Sequence, residues 1–193
     1  MKNTEAAFHW IIDILQHHGM VYKISGGFAA RVYGVNRELA DIDIEVADVD
    51  IIKIINDVKP FIVFGPARYK DDNWDLELMT LKYEGQEIDI AGTNAKIFNY
   101  ETTQWEPCSG NLESIEMKDV FGRKVPIESS DSLIAYKTKL AREVDLEDVR
   151  QLQRLTELRR ATLVASAGAS TRLAGSKLSD EQVEQISKSS EQK

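Results

Sequence analysis

Ile24-Ser25-Gly26-Gly27, thirteen further residues, and then Asp41-Ile42-Asp43-Ile44 make up the stretch that decides how this chain is read. A strand turns successive side chains to opposite faces, so Asp41 and Asp43 share one face while Ile42 and Ile44 share the other. Two carboxylates then lie side by side on an otherwise apolar strand, an arrangement that is costly without a cation or hydrogen-bond donors. A divalent metal is the most direct compensation. Upstream, Gly26-Gly27 opens a helix, where free N–H groups and the positive end of the helix dipole favour an anion. Glycine there also lets a phosphate approach the backbone closely. The two halves together describe a metal–phosphate site.

A glycine pair, a spacer of this order and Asp-apolar-Asp-apolar resemble the signature of the DNA polymerase β-like nucleotidyltransferase superfamily. The wording Gly26-Gly27-Phe28-Ala29-Ala30, Tyr33-Gly34, Arg37 and Asp41-Ile42-Asp43 is most similar to its small bacterial branch. That branch holds the lincosamide and aminoglycoside nucleotidyltransferases and toxin-like transferases. The resemblance covers residues 21–46 well and, more loosely, the chain to about residue 158. It implies an α/β (α+β) nucleotidyltransferase fold, a mixed β-sheet flanked by helices, with helices at the C-terminal side. It implies transfer of a nucleoside monophosphate from a nucleoside triphosphate, ATP among the candidates, assisted by two Mg2+ ions. In that scheme Asp41 and Asp43 are catalytic metal ligands, and Gly26 and Gly27 hold the triphosphate through backbone N–H groups. The superfamily often has serine as the second residue of the pair; here that residue is Gly27, and Ser25 stands on its other side.

Working outward, residues 4–18 carry Ala7, Phe8, Ile11, Ile12, Ile14 and Leu15 at helical spacing, with Thr4 as the expected N-cap and Gly19 as the stop. His9, His17 and His18 lie on this helix and read as solvated or capping side chains. Residues 21–24 form a short strand ending at the diglycine, residues 28–33 continue the following helix, and Gly34 closes it. In the loop before Asp41, Arg37 is either a bidentate phosphate contact or a neutralising partner of Asp41 or Asp43. Residues 48–58 predict a helix, and 61–64 a strand.

Residues 74–91 alternate around Glu84-Gly85, the pattern of an antiparallel hairpin. On its second arm Glu87 and Asp89 share a face. The superfamily places its third carboxylate on such a strand, and Ile88-Asp89-Ile90 favours Asp89 over Glu87 as the third catalytic and metal-binding carboxylate. Residues 94–110 are poorly patterned; Phe98, Tyr100 and Trp105 either stack on a substrate ring or pack a loop. Residues 112–127 predict a second hairpin around Phe121-Gly122-Arg123-Lys124, and Ser129-Ser130-Asp131 caps a helix running to about residue 142. A further helix starts at Asp145 and runs to about residue 160. The resemblance makes Lys137 a phosphate or nucleotide contact, with Arg142 nearby and a later Asp-containing helix bracing them, whereas by themselves Asp145 and Asp148 read as acids at a helix N-terminus rather than catalysts. The domain reading is a nucleotidyltransferase core over 1–128, a C-terminal helical segment over 129–160, and a flexible or partly helical tail over 161–193.

A chain of 193 residues is long enough for one sizeable core. Charged residues at 29% and apolar ones at 42% describe an ordinary soluble protein, and the short apolar runs leave nothing to span a membrane. No signal-peptide pattern follows Met1, so the expected location is cytoplasmic. The single cysteine, Cys108, excludes an internal disulfide and reads as incidental. A net charge of −8 argues against broad nucleic-acid binding, which needs clustered Lys and Arg, and suits a cationic small substrate somewhat better. There is no internal repeat, no Gly-Lys-Ser/Thr phosphate loop and no dinucleotide-binding glycine motif.

Three functions fit these residues. The first is an enzyme that moves a nucleoside monophosphate to a hydroxyl of a small, antibiotic-like molecule. The second is a toxin-like transferase acting on RNA or protein, which a basic groove of Arg31, Arg37, Arg68, Lys70, Lys137 and Arg142 would favour. The third is an inactive domain that binds a nucleotide or partner. Oligomeric state is not encoded in these patterns.

Overall fold

A computed structural model describes residues 2–108 and 111–173. The chain divides into two units, residues 1–152 and 153–193. The first unit holds a mixed sheet with helices against it. Strands β1 (Tyr22–Ile24), β2 (Asp41–Val46), β3 (Ile62–Lys70), β4 (Trp74–Tyr83) and β5 (Gln86–Gly92) come first, followed by β6 (Lys96–Asn99), β7 (Gln104–Pro107), β8 (Ile115–Val120) and β9 (Arg123–Glu128). Their order across the sheet is β7-β6-β4-β5-β2-β1-β9-β8, and β3 pairs with β4 off this path. β2 sits near the centre, antiparallel to β1 and parallel to β5.

The helices are α1 (Thr4–His17), α2 (Gly26–Tyr33), α3 (Ile55–Val58), α4 (Ser130–Leu140) and α5 (Glu143–Leu173). α1 buries Ala7, Phe8, Ile11, Ile12 and Leu15. Its N-cap is Asn3, whose side chain accepts from the Ala6 N–H at 3.1 Å; the expected cap, Thr4, instead donates its hydroxyl to Gln86. Ile42, Ile44, Ile88 and Ile90 are fully buried beneath the sheet's central strands. Each such side chain stabilises the fold by about 1.5–3 kcal/mol relative to exposure. That apolar face fixes the register of β2, and the register presents Asp41 and Asp43 on the opposite face.

The β4–β5 hairpin closes at Glu84-Gly85, both with positive φ (48° and 75°), as a two-residue hairpin loop requires. Residues 48–58 differ from the expected helix. They form a 3-10 segment, Asp48–Ile54, and a single α turn, α3, consistent with the weak helix propensity of their β-branched isoleucines and valines. Residues 96–107 form a hairpin organised by Asn99, which accepts from the Glu101 N–H at 2.9 Å and donates to Glu106 at 2.8 Å. β3 extends well past the predicted residue 64, with register shifts around Gly65-Pro66.

The second unit begins within α5, which runs on through residue 160 to Leu173 where the sequence reading placed a boundary. There the Thr162 hydroxyl donates to the Leu158 carbonyl, and Leu158 and Leu163 are exposed. Residues 174–193, the larger part of the expected tail, lie outside the described residues. Among the described residues no helix is long and apolar enough to cross a membrane.

Candidate active site

The parallel pairing of β2 with β5 sets Asp43 opposite Asp89 and Asp41 opposite Glu87, and β4 adds Thr80 beside Asp89. One carboxylate oxygen each from Asp41, Asp43 and Asp89 lie within 4.8 Å of one another. Glu87, the rival in sequence, is exposed and faces Lys82 at 3.6 Å. Thr80 donates its hydroxyl to Asp89 Oδ1 at 2.6 Å and the Gly27 N–H donates to Asp43 Oδ2 at 3.1 Å.

Burial, with the charges of Asp41 and Asp89, pushes the Asp43 carboxyl up to about 7, against the pull of Lys137 and the Gly27 N–H. Burial also raises Asp89; the Thr80 hydrogen bond opposes this, while the charges of Asp41 and Glu87 add to it. Among the described residues this is the only group of three acidic, histidine or cysteine ligands able to hold a metal. Like charges this close are relieved by a hard divalent cation, so the donor set fits magnesium.

Gly26 has a specific steric task. Its φ is +63°, and a Cβ on it would lie 1.8 Å from Asp43 Oδ2. The glycine that reads in sequence as phosphate access therefore also gives Asp43 its room, and the Gly27 N–H expected to point at phosphate is engaged by Asp43. Ser25 is the N-cap residue of α2 without making a side-chain cap bond; its hydroxyl lies beside Glu45.

Opposite the triad stand three cations. Lys137 on α4 is buried and reaches Asp145 and Asp148, each at 2.9 Å. Arg142 bonds Asp145, and Arg37 donates to Asp148 at 2.7 Å. Neither Asp41 nor Asp43 is the partner of Arg37, which corrects that alternative. Asp145 and Asp148 are themselves buried, more than the ordinary helix-start acids expected from sequence. Burial raises the Asp145 carboxyl, but Arg142 and Lys137 outweigh it and hold the group below the usual carboxylate range. Of the expected basic groove, Arg37, Lys137 and Arg142 are thus paired with acids, and Arg68 and Lys70 both pair with Asp75.

The triad, Arg37, Lys137 and Arg142 border one cleft of about 510 Å³ that also takes in Ser25, Gly26 and Gly27. Trp74, Leu76 and Leu78 form its apolar side and Tyr136 and Cys108 border it as well. Burial, with nearby Glu45 and Glu128, pushes the Cys108 thiol up to about 12, which keeps it protonated. Phe98, Tyr100 and Trp105, the aromatics singled out in sequence, pack edge to face on one another, with Lys70 over the Trp105 ring. The cleft's aromatics are instead Tyr69, Trp74 and Tyr136. The histidines stay apart from the site, His18 pairing with Asp57 at 2.8 Å.

A central strand carrying two aspartates, a third on the neighbouring parallel strand and a glycine-started helix alongside define the nucleotidyltransferase fold, and this chain has it. The structure is similar to a candidate nucleotidyltransferase from Thermotoga maritima, with TM-score 0.57 and 19% identity over 83% of this chain and 96% of that one. It is similar to the lincosamide antibiotic adenylyltransferase LnuA, solved with lincomycin, at TM-score 0.52 and 20% identity over 80% and 98% of the two chains. A third likeness is to ANT(2'')-Ia in complex with adenylyl-2''-tobramycin, at TM-score 0.50 and 15% identity over 85% and 99%. No protein-family model matches the chain, and no curated protein sequence does.

Proposed function

We propose that this protein is a metal-dependent nucleotidyltransferase that moves a nucleoside monophosphate from a nucleoside triphosphate to a hydroxyl of a small, antibiotic-like molecule, in the cytoplasm. The observation that carries the reading is the convergence of Asp41, Asp43 and Asp89 within 4.8 Å beside the start of α2. Asp41, Asp43 and Asp89 would hold two magnesium ions, which supply Lewis-acid neutralisation of the reacting phosphate when bound.

The chain's own groups divide the remaining work. Asp89, steadied by Thr80, takes the proton of the attacking hydroxyl. The first turn of α2 at Gly26 and Gly27, with Ser25 beside it, lies along the phosphate path, where a helix start favours anions. Arg37, Lys137 and Arg142 face the cleft and offset phosphate charge from the other side. An acceptor that is itself a polyanion, such as RNA, is disfavoured, because the basic residues named for it each have a carboxylate partner, Arg31 aside. The neighbours' lincomycin and tobramycin adduct support a small-molecule acceptor.

Calorimetric titration of ATP, GTP, CTP and UTP with magnesium tests the reading. Metal-dependent binding of at least one, weakened by Asp41→Asn with Asp43→Asn, is expected. No binding of any triphosphate by the unmodified protein would overturn it in favour of a partner-binding domain.

A further inference from the structure

The mechanism above leaves one half-buried charged group of the cleft without a task. Glu45 follows Asp41 and Asp43 on the same face of β2, and its side chain, 16% exposed, borders the cleft. Lys23, fully buried on β1, reaches Glu45 Oε2 at 3.2 Å and Glu128 Oε1 at 3.0 Å. The Ser25 hydroxyl lies beside Glu45 and acts to lower its carboxyl, against the burial that raises it. Ser132 donates to Glu128 Oε1 at 2.6 Å, so the lysine is anchored from behind. This bracing fixes the Glu45 carboxylate in place. An ionised carboxylate offers about four acceptor positions, and Lys23 takes one of them on Oε2.

The sheet register places this group. Asp43, Asp89 and Thr80 stand in one row across β2, β5 and β4, and Glu45, Ala91 and Leu78 stand in the next. Rows of one face are about 6.6–6.8 Å apart along a strand. That step matches the separation between the α-phosphate of a nucleotide and the hydroxyls of its own ribose. Beside Glu45 the floor of this row is the small Ala91, with Leu78 beyond it, and Gly92 and Ala95 border the cleft as well, which leaves room for a sugar ring. Other acids of the cleft are differently placed. Glu87 stands opposite Asp41, one row to the other side of Asp43 and Asp89, and faces Lys82, while Asp71 accepts from Tyr69 and from the backbone of Asn73 and Trp74.

We propose that Glu45 is the sugar-recognising residue of this cleft, accepting hydrogen bonds from the ribose hydroxyls and so selecting ribonucleoside over 2′-deoxyribonucleoside triphosphates. The proposal rests on the nucleotidyltransferase reading and adds the sugar to it. A carboxylate built to accept a hydroxyl rejects the analogue that lacks it, because a polar position is then left unpaired away from water.

The test is calorimetric titration, with magnesium, of the four ribonucleoside triphosphates, their 2′-deoxy counterparts, and inorganic tripolyphosphate as a probe without sugar or base. The protein is used unmodified, as Glu45→Gln, and as Glu45→Asp, which keeps the charge that Lys23 needs. For the best-bound base, the ribonucleotide should bind at least about tenfold more tightly than its deoxy form. Both variants should lower that ratio toward one by weakening the ribonucleotide alone, with tripolyphosphate affinity unchanged. Equal affinity for ribo and deoxy forms in the unmodified protein, or a ratio kept by both variants, would overturn the sugar site and leave the nucleotide reading intact. Binding of no triphosphate at all would overturn both.

Discussion

Gly26 lies directly against the carboxylate of Asp43, so that even one added carbon would meet Oδ2 at 1.8 Å. The backbone of the first turn and the position of a candidate metal ligand are therefore one geometric decision. Gly26→Ala meets both that collision and a positive φ that alanine resists. We expect a loss of about 1–3 kcal/mol in stability, read by chemical denaturation. Magnesium affinity should fall as well, read by calorimetry. Unchanged magnesium binding in the folded variant would show that Asp43 does not depend on this contact.

The parallel pairing distinguishes Asp89 from Glu87. Asp89→Asn should lower nucleotidyl transfer by about 10²–10⁴-fold, measured as pyrophosphate release once an acceptor is known. Glu87→Gln should stay within about threefold, because its exposed pair with Lys82 lies outside the triad. A larger effect at Glu87 would reverse the assignment.

Burial and acid crowding should make metal binding at the proposed site pH-dependent. The Asp43 carboxyl is raised from an ordinary 3.8 to about 7, mainly by burial and then by Asp41 and Asp89. Between those values the folded, metal-free protein binds more protons at this group than the unfolded chain does. Its contribution to stability is thus full below about 4 and declines as pH rises toward 7. Magnesium competes with that proton, so the thermal shift it produces should be larger at pH 8 than at pH 5.5. Asp43→Asn should flatten the difference, and a magnesium shift independent of pH would contradict the proposed site.

Lys137 sits between two buried acids, and its removal leaves them facing one another. Lys137→Met should cost about 3–5 kcal/mol, measured by urea unfolding. Lys137→Met combined with Asp148→Asn should recover part of that loss, since one of the two like charges that the lysine held together is gone, although Arg37 then loses its partner. No recovery would mean that packing, not charge, is the main role of Lys137.

Local patterns made the centre of this fold legible. The alternation Asp41-Ile42-Asp43-Ile44 set the strand, and the same alternation in Ile88-Asp89-Ile90, next to a two-residue turn, identified the arm that joins it. The pairing of Arg37 with Asp148 spans 111 positions and has no local signature. A charged residue in a loop reads as solvent-facing or ligand-facing until its partner's place is known. The hairpin over 96–107 escaped for another reason: its turn is held by the side chain of Asn99, not by a glycine. Glu45 was hidden in plain view, two residues beyond Asp43, because nothing local says that Lys23 and Ser25 brace it.

The two acids behind the three cations have a further consequence. Asp145 and Asp148 have already spent much of the attraction that Lys137, Arg37 and Arg142 would offer an incoming phosphate. A grip of this kind orients an anion without holding it hard. For the proposed nucleotidyl transfer, which must let go of pyrophosphate after every turnover, restraint in the cations would favour release, because affinity shared equally by ground and transition states does not raise kcat.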